Sequence, residues 1–147
     1  MHVTGAHHTG LSVVDLDRSL DFYSLLGCEV IWQREIRDEY FGRIVGIDDC
    51  VVRAAHVRIP GSGHVLELFE YVPHESGANL VPNIPGHAHI AFTVHDLRGA
   101  YAELRSHGVR FFSEPVLITA GVNKGGFGVY LLDPNGITLE LFQPPAG

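Results

Sequence analysis

Residues 8–20 read HTGLSVVDLDRSL and residues 89–101 read HIAFTVHDLRGAY; each run opens with alternating apolar and polar positions and breaks at an aspartate. Alternation of period two predicts a half-buried strand, and the aspartate predicts a helix cap. After Asp15, the residues Leu16, Leu20, Tyr23 and Leu26 fall on one helical face that Gly27 closes. After Asp96, the residues Leu97, Ala100, Tyr101 and Leu104 do the same before Gly108. Three strand-like segments follow each glycine: CEVIWQRE, CVVRAAHVRI and HVLELFEY in the first half, VRFFSE, GVYLLD and TLELFQ in the second. PGSG (60–63) and DPNG (133–136) are turn formers placed to join antiparallel neighbours. Each half therefore reads strand, helix, three strands.

The halves are copies of one unit. An offset of 81 carries His8 onto His89, Val13 onto Val94, Asp15 onto Asp96, Leu16 onto Leu97 and Gly27 onto Gly108. The two LELF segments lie 73 apart (140 minus 67), so the second copy is eight residues shorter between helix and last strand. Two stretches stand outside the pattern. GVNKGGFG (121–128) lacks the strand and the Lys-Thr context of a phosphate loop and predicts a flexible connection. REIRDEYFGRIVG (34–46) has little clean period; a mobile cover and a solvated strand and turn are equally economical for it.

Glu67 and Glu140 each sit between leucines in a segment that otherwise reads as buried strand. Side chains alternate faces, so Glu67, Phe69 and Tyr71 oppose Leu66 and Leu68, and Glu140 and Phe142 oppose Leu139 and Leu141. In the opening strands Leu11, Val13, Ile90, Phe92 and Val94 take the leucine side, which places His8 and His89 on the glutamate side. A hairpin through PGSG with Ile59 opposite His64 adds His56 opposite Glu67, as a base or as a partner of that carboxylate. His87 shares the His89 face as a strand-end residue, and His7, on the face opposite His8, reads as structural. A buried unpaired carboxylate costs several kcal/mol, and a divalent cation held by His8, Glu67, His89 and Glu140 would offset that cost. Two imidazoles and two carboxylates suit Zn, Ni, Co, Mn or Fe, and the absence of thiolates argues against a closed structural zinc site.

Composition narrows the function classes. A chain of 147 residues, 46% apolar, is one ordinary domain with a core of its own. Cys28 and Cys50 stand in no metal or disulfide spacing, which fits packing thiols in a reducing compartment. A net charge of −7 with scattered Lys and Arg argues against nucleic acid as partner. No run of about 18 apolar residues and no basic-then-apolar leader occurs, so a cytoplasmic protein without a membrane segment is expected.

HHTGLSVVDLDRSLDFYSLLG, GHAHIAFTVHDL and DPNGITLELFQPP resemble the vicinal oxygen chelate superfamily of glyoxalases, epimerases, extradiol dioxygenases and antibiotic-resistance proteins, over nearly the whole chain. The resemblance implies an α+β fold: a single domain over 1–147, in which two paired βαβββ modules, about 5–74 and about 86–145, form a half-open cup around one divalent metal. By motif position its ligands are His8, Glu67, His89 and Glu140. The implied chemistry is chelation of two neighbouring substrate oxygens and transfer of an adjacent proton, a lyase or isomerase reaction on a small molecule. Glu140 is the candidate base, with Glu67 and His56 as alternatives. Phe69, Tyr71 and Phe142 are the expected lining, suited to an apolar or aromatic substrate. The superfamily also implies a homodimer.

Departures narrow this further. Glyoxalase I carries a basic residue four positions after its first histidine and an asparagine four after its first glutamate, where this chain has Ser12 and Tyr71. A glutathione adduct is therefore not the expected substrate. Methylmalonyl-CoA epimerase has glutamine where Glu67 stands and a glutamate base on a strand that here holds no carboxylate, CVVRAAHVRI. An Fe(II) extradiol dioxygenase would use His8, His89 and Glu140 and leave Glu67 surplus; it is the alternative enzyme reading. Non-catalytic drug-binding relatives generally lack the ligands that this chain keeps.

Overall fold

The computed structural model describes residues 2–75, 77 and 81–146. The chain divides into two compact units, Met1–Gly77 and Ala78–Gly147. Both are mixed α+β, and each contains the βαβββ order expected from the repeat.

Unit 1 runs β1 (His8–Ser12), α1 (Leu16–Leu25), β2 (Glu29–Ile36), α2 (Glu39–Val45), β3 (Val51–Arg58) and β4 (Val65–Val72). Its sheet has the order β1-β4-β3-β2, with β1 parallel to β4 and the other pairs antiparallel. Asp15 caps α1 by accepting the Arg18 N–H at 3.0 Å, and Gly27, at φ +76°, lets the chain turn into β2. The core on the α1 side contains Leu16, Tyr23, Ala55, Leu66 and Leu68, all 0% exposed. The face that α1 buries is turned from the expected one: Ser19 and Phe22 are inside, whereas Leu20 and Leu26 are half-buried. Ser19 can be buried because its hydroxyl donates to the Asp15 carbonyl at 2.7 Å.

The 34–46 stretch begins as strand, its residues 34–36 ending β2. Its second half is the helix α2, closed by Gly46 at φ +73°. Phe41 joins Ile36, Val52 and Ala54 in a small apolar cluster on the sheet face that bears Glu67. A period of under two turns was too short to read against the surrounding charges.

Unit 2 runs β5 (Ile90–Thr93), α3 (Leu97–Ser106), β6 (Arg110–Phe111), β7 (Val116–Leu117), β8 (Phe127–Leu132) and β9 (Thr138–Gln143). Its sheet has the order β5-β9-β8-β6, with β7 also pairing β8 and β5 parallel to β9. Asp96 caps α3 as Asp15 caps α1, taking the Gly99 N–H at 3.0 Å. Leu97, Leu131 and Leu139 are fully buried, with Leu104 and Leu141 nearly so. The DPNG turn is built around buried Asp133, whose carboxylate accepts the N–H groups of Asn135 and Ile137, each at 2.8 Å. The glycines of 121–128 shape the β7–β8 connection; at Gly126 a Cβ would lie 2.5 Å from the Gln143 carbonyl. The two-residue β7 was not foreseen, since so short a strand has no measurable alternation.

The last strand of each unit also holds its helix. Glu70 accepts the Leu16 N–H at 2.9 Å, and Gln143, the matching position 73 residues on, accepts the Leu97 N–H at 2.8 Å. Glu70 is additionally paired with Arg53 at 2.9 Å, and Arg53 with Asp17 at 2.8 Å. In this way the strand carrying the glutamate is anchored to the helix N-terminus in both units.

Candidate functional site

In unit 1 the parallel register of β1 and β4 sets Gly10 beside Glu67, and His8 two residues earlier on the same face. His8 Nε2 lies 2.9 Å from Glu67 Oε2. The β3–β4 hairpin pairs His56 with Glu67, the register that the turn residues predicted. His56 Nε2 makes a short contact with Glu67 Oε1, so both oxygens of this carboxylate are engaged by imidazoles. Trp32 stacks on His56 with ring centroids 4.0 Å apart and holds the imidazole in place. The Glu67 side chain is 14% exposed, which makes these partners obligatory.

His7 departs from the expected structural role on the far face. Its Nδ1 is 2.7 Å from Nδ1 of His8, with the rings edge to face at 5.0 Å. One of these nitrogens donates and the other accepts, so the tautomers of His7 and His8 are coupled, and with them what His8 Nε2 offers to Glu67.

In unit 2, His89 stands immediately before β5, and its Nε2 is 3.1 Å from Glu140 Oε2. Register places Tyr130 directly opposite Glu140, the place His56 holds opposite Glu67. The Tyr130 hydroxyl reaches His89 Nε2 at 3.3 Å, so the phenol and the carboxylate compete for one nitrogen. Burial, and after it the charge of Glu140, raises the Tyr130 phenol above its ordinary value, so it stays protonated near neutrality. Glu140 Oε1 has no hydrogen-bond partner among the described residues. Glu140 lines a depression of about 280 Å³ together with Phe112, Ser113, Gly128, Val129 and Tyr130. A Cβ at Gly128 would meet Oε1 at 3.5 Å, in ordinary van der Waals contact. Sequence reading missed Tyr130, which only the β8–β9 register sets opposite Glu140.

Of the expected lining, Phe69 and Tyr71 lie on the Glu67 face, where Phe41 of α2 packs on Phe69 with centroids 5.5 Å apart. Burial, and after it Cys50, raises the Tyr71 phenol. Phe142 is half-buried on the Glu140 face, across from Gly128 and Thr93. The buried His87 Nε2 has no hydrogen-bond partner among the described residues.

Both histidines turn Nε2 toward a carboxylate oxygen, at 2.9 and 3.1 Å. Two cis ligands on a divalent ion with bonds of about 2.0–2.2 Å stand about 3 Å apart, so each pair has the spacing of one edge of a coordination shell. Among the described residues no group of three or more His, Cys, Asp or Glu side chains forms a metal-holding cluster. Each unit by itself therefore offers a pair of donors.

Two βαβββ modules, each ending in a strand that carries a histidine-paired glutamate, define the vicinal oxygen chelate class. The chain belongs to the Glyoxalase/Bleomycin resistance protein/Dioxygenase superfamily, whose family model matches residues 5–141. It is 33% identical to a 2-epi-5-epi-valiolone epimerase from an Actinomyces species, over 96% of this chain and 80% of that one. Among solved structures it resembles a glyoxalase family protein from Bacillus cereus, with a TM-score of 0.86 at 20% identity over 99% of this chain and 97% of that one. It also resembles the genomically encoded fosfomycin resistance protein FosX from Listeria monocytogenes, complexed with Mn(II) and a sulfate ion. That TM-score is 0.63, at 18% identity over 97% and 93% of the two chains. Among the described residues no helix is long and apolar enough to cross a membrane.

Proposed function

We propose that the chain is a metal-dependent epimerase that acts on a small molecule with two neighbouring oxygens, taking a proton from the carbon beside them. The observation that carries the reading is the inequality of the two glutamates. Glu67 is tied by both oxygens, whereas Glu140 keeps Oε1 free beside an open depression. A general base needs a free lone pair within reach of substrate, and Glu140 has one. An epimerase among the relatives and a Mn(II) complex among the similar folds support the same reading.

His8 with Glu67, and His89 with Glu140, are the proposed metal donors, and a bound ion would polarise the substrate oxygens and acidify the adjacent C–H. His56 and Trp32 fix Glu67 so that it stays a ligand. Glu140 removes the proton through Oε1, and a proton returned from solvent to the opposite face of the same carbon completes the inversion. Tyr130, protonated near neutrality, is available as a hydrogen-bond donor beside His89. Phe69, Tyr71 and Phe142 are proposed as lining.

The test is exchange of the substrate's acidic hydrogen with deuterated solvent, under anaerobic conditions and with each of Zn, Ni, Co, Mn and Fe restored in turn. Exchange without dioxygen is expected. A reaction that stops without dioxygen and runs only with Fe(II) would instead establish ring cleavage.

A further inference from the structure

We propose that Arg34 binds an anionic group of the substrate, so that the molecule this chain acts on carries a carboxylate or phosphate in addition to its neighbouring oxygens. This rests on the function proposed above. Directly paired residues share a face of the sheet. One row across the Glu67 face of unit 1 is therefore Gly10, Glu67, His56 and Trp32, and the next is Ser12, Phe69, Ala54 and Arg34. The two rows connect through stacking. The Arg34 guanidinium carbon lies 5.2 Å from the centroid of the Trp32 ring, which itself stacks on His56. A run of contacts thus leads from Arg34 to Glu67 on one face.

Three other arginines of unit 1 are neutralised, Arg37 by Glu35, Arg53 by Asp17 and Glu70, and Arg58 by Glu29, while Arg18 and Arg43, in no ion pair among the described residues, stand on the helices α1 and α2 rather than on this sheet row. Arg34 pairs with no carboxylate among the described residues, in a chain whose net charge is −7. Stacking on an indole holds the guanidinium plane while leaving its N–H fork free, and that fork matches carboxylate and phosphate oxygens two at a time. Ala54, opposite Arg34, is 0% exposed and packs with Phe41 of α2, so the link from the guanidinium to the imidazole–carboxylate group runs along Trp32 and His56 rather than over Ala54. Arg34 lies two strand spacings, about 10 Å, from the strand of Glu67, so the anionic group would sit several bonds from the oxygens near Glu67.

Trp32 is the single tryptophan of the chain and reports on its neighbour directly. The full-length protein is titrated with inorganic phosphate and separately with acetate, against chloride at equal ionic strength, while Trp32 emission is followed. A saturable change with at least one of the two anions is expected, and the tighter of them identifies the group. Arg34→Gln should weaken that anion at least tenfold, Arg34→Lys should fall between, and Arg37→Gln should match the parent. Metal content is measured on the same samples and should be unchanged in Arg34→Gln. Absence of a saturable response to either anion, or an undiminished one in Arg34→Gln, overturns the proposal and leaves the metal site standing. Absence of metal with an intact, Arg34-dependent response fails the other reading alone.

Discussion

Glu67 and Glu140 occupy the same place in two copies of one supersecondary unit, yet they are bound differently. In both units a parallel pairing of first and last strand brings a histidine Nε2 to the carboxylate, at 2.9 and 3.1 Å. The difference comes from the neighbouring strand. β3 supplies an imidazole, His56, which engages the second oxygen of Glu67, and β8 supplies a phenol, Tyr130, which turns to His89 instead. Exposure follows, at 14% for the Glu67 side chain and 23% for Glu140. A duplicated backbone can thus leave one copy of a carboxylate bound through both oxygens and the other through one, by a change on the adjacent strand.

Changes at matched positions test how far this likeness goes. The largest effect is expected in the cores, where Leu66 and Leu139 both immediately precede a glutamate and are 0% exposed. Leu66→Ala and Leu139→Ala should each lower stability by about 2–5 kcal/mol, read by chemical denaturation. Widely unequal losses would show that the two cores are not equivalent.

At the glutamates the units should part. Glu140→Gln, assayed at saturating metal, is expected to lower turnover by ~10² or more, the scale of a removed general base. Exchange of substrate hydrogen at the parent rate would move the base to Glu67 and then to His56. His56→Ala, which frees one oxygen of Glu67, should weaken metal binding by about 10- to 100-fold, measured by competition with a chelator. Tyr130→Phe leaves the Glu140–His89 pair in place and should change metal affinity less than His56→Ala does. The smallest effect is expected at the helix caps, where the geometry is most alike. Asp15→Ala and Asp96→Ala should each cost about 1 kcal/mol, since both aspartates accept an N–H at 3.0 Å.

Much of each half-site was legible before any fold was known. Parity put His8 with Glu67 and His89 with Glu140, and both pairs are in contact. The PGSG turn put His56 opposite Glu67, as the register has it. Tyr130 was overlooked because the five residues from Asp133 to Ile137 separate the last paired positions, Leu132 and Thr138, and a loop of that length does not declare its register. His7 was assigned to the far face by parity, but β1 begins only at His8, so alternation does not govern the residue before it.

The sequence alone determined what depends on a few consecutive residues: alternation of period two, aspartate caps, glycines at positive φ, and the duplication that made two glutamates comparable. These are properties of the local backbone and survive in any packing. Tertiary structure decided the rest. The bulge between Val30 and Trp32 sets Trp32 on His56 and Arg34 opposite Ala54, and no local signal announces it. The placing of α2 on the Glu67 face follows from Phe41 finding Ile36, Val52 and Ala54 on two strands. Such contacts join residues distant in the chain, and their register is chosen by the packing of whole faces.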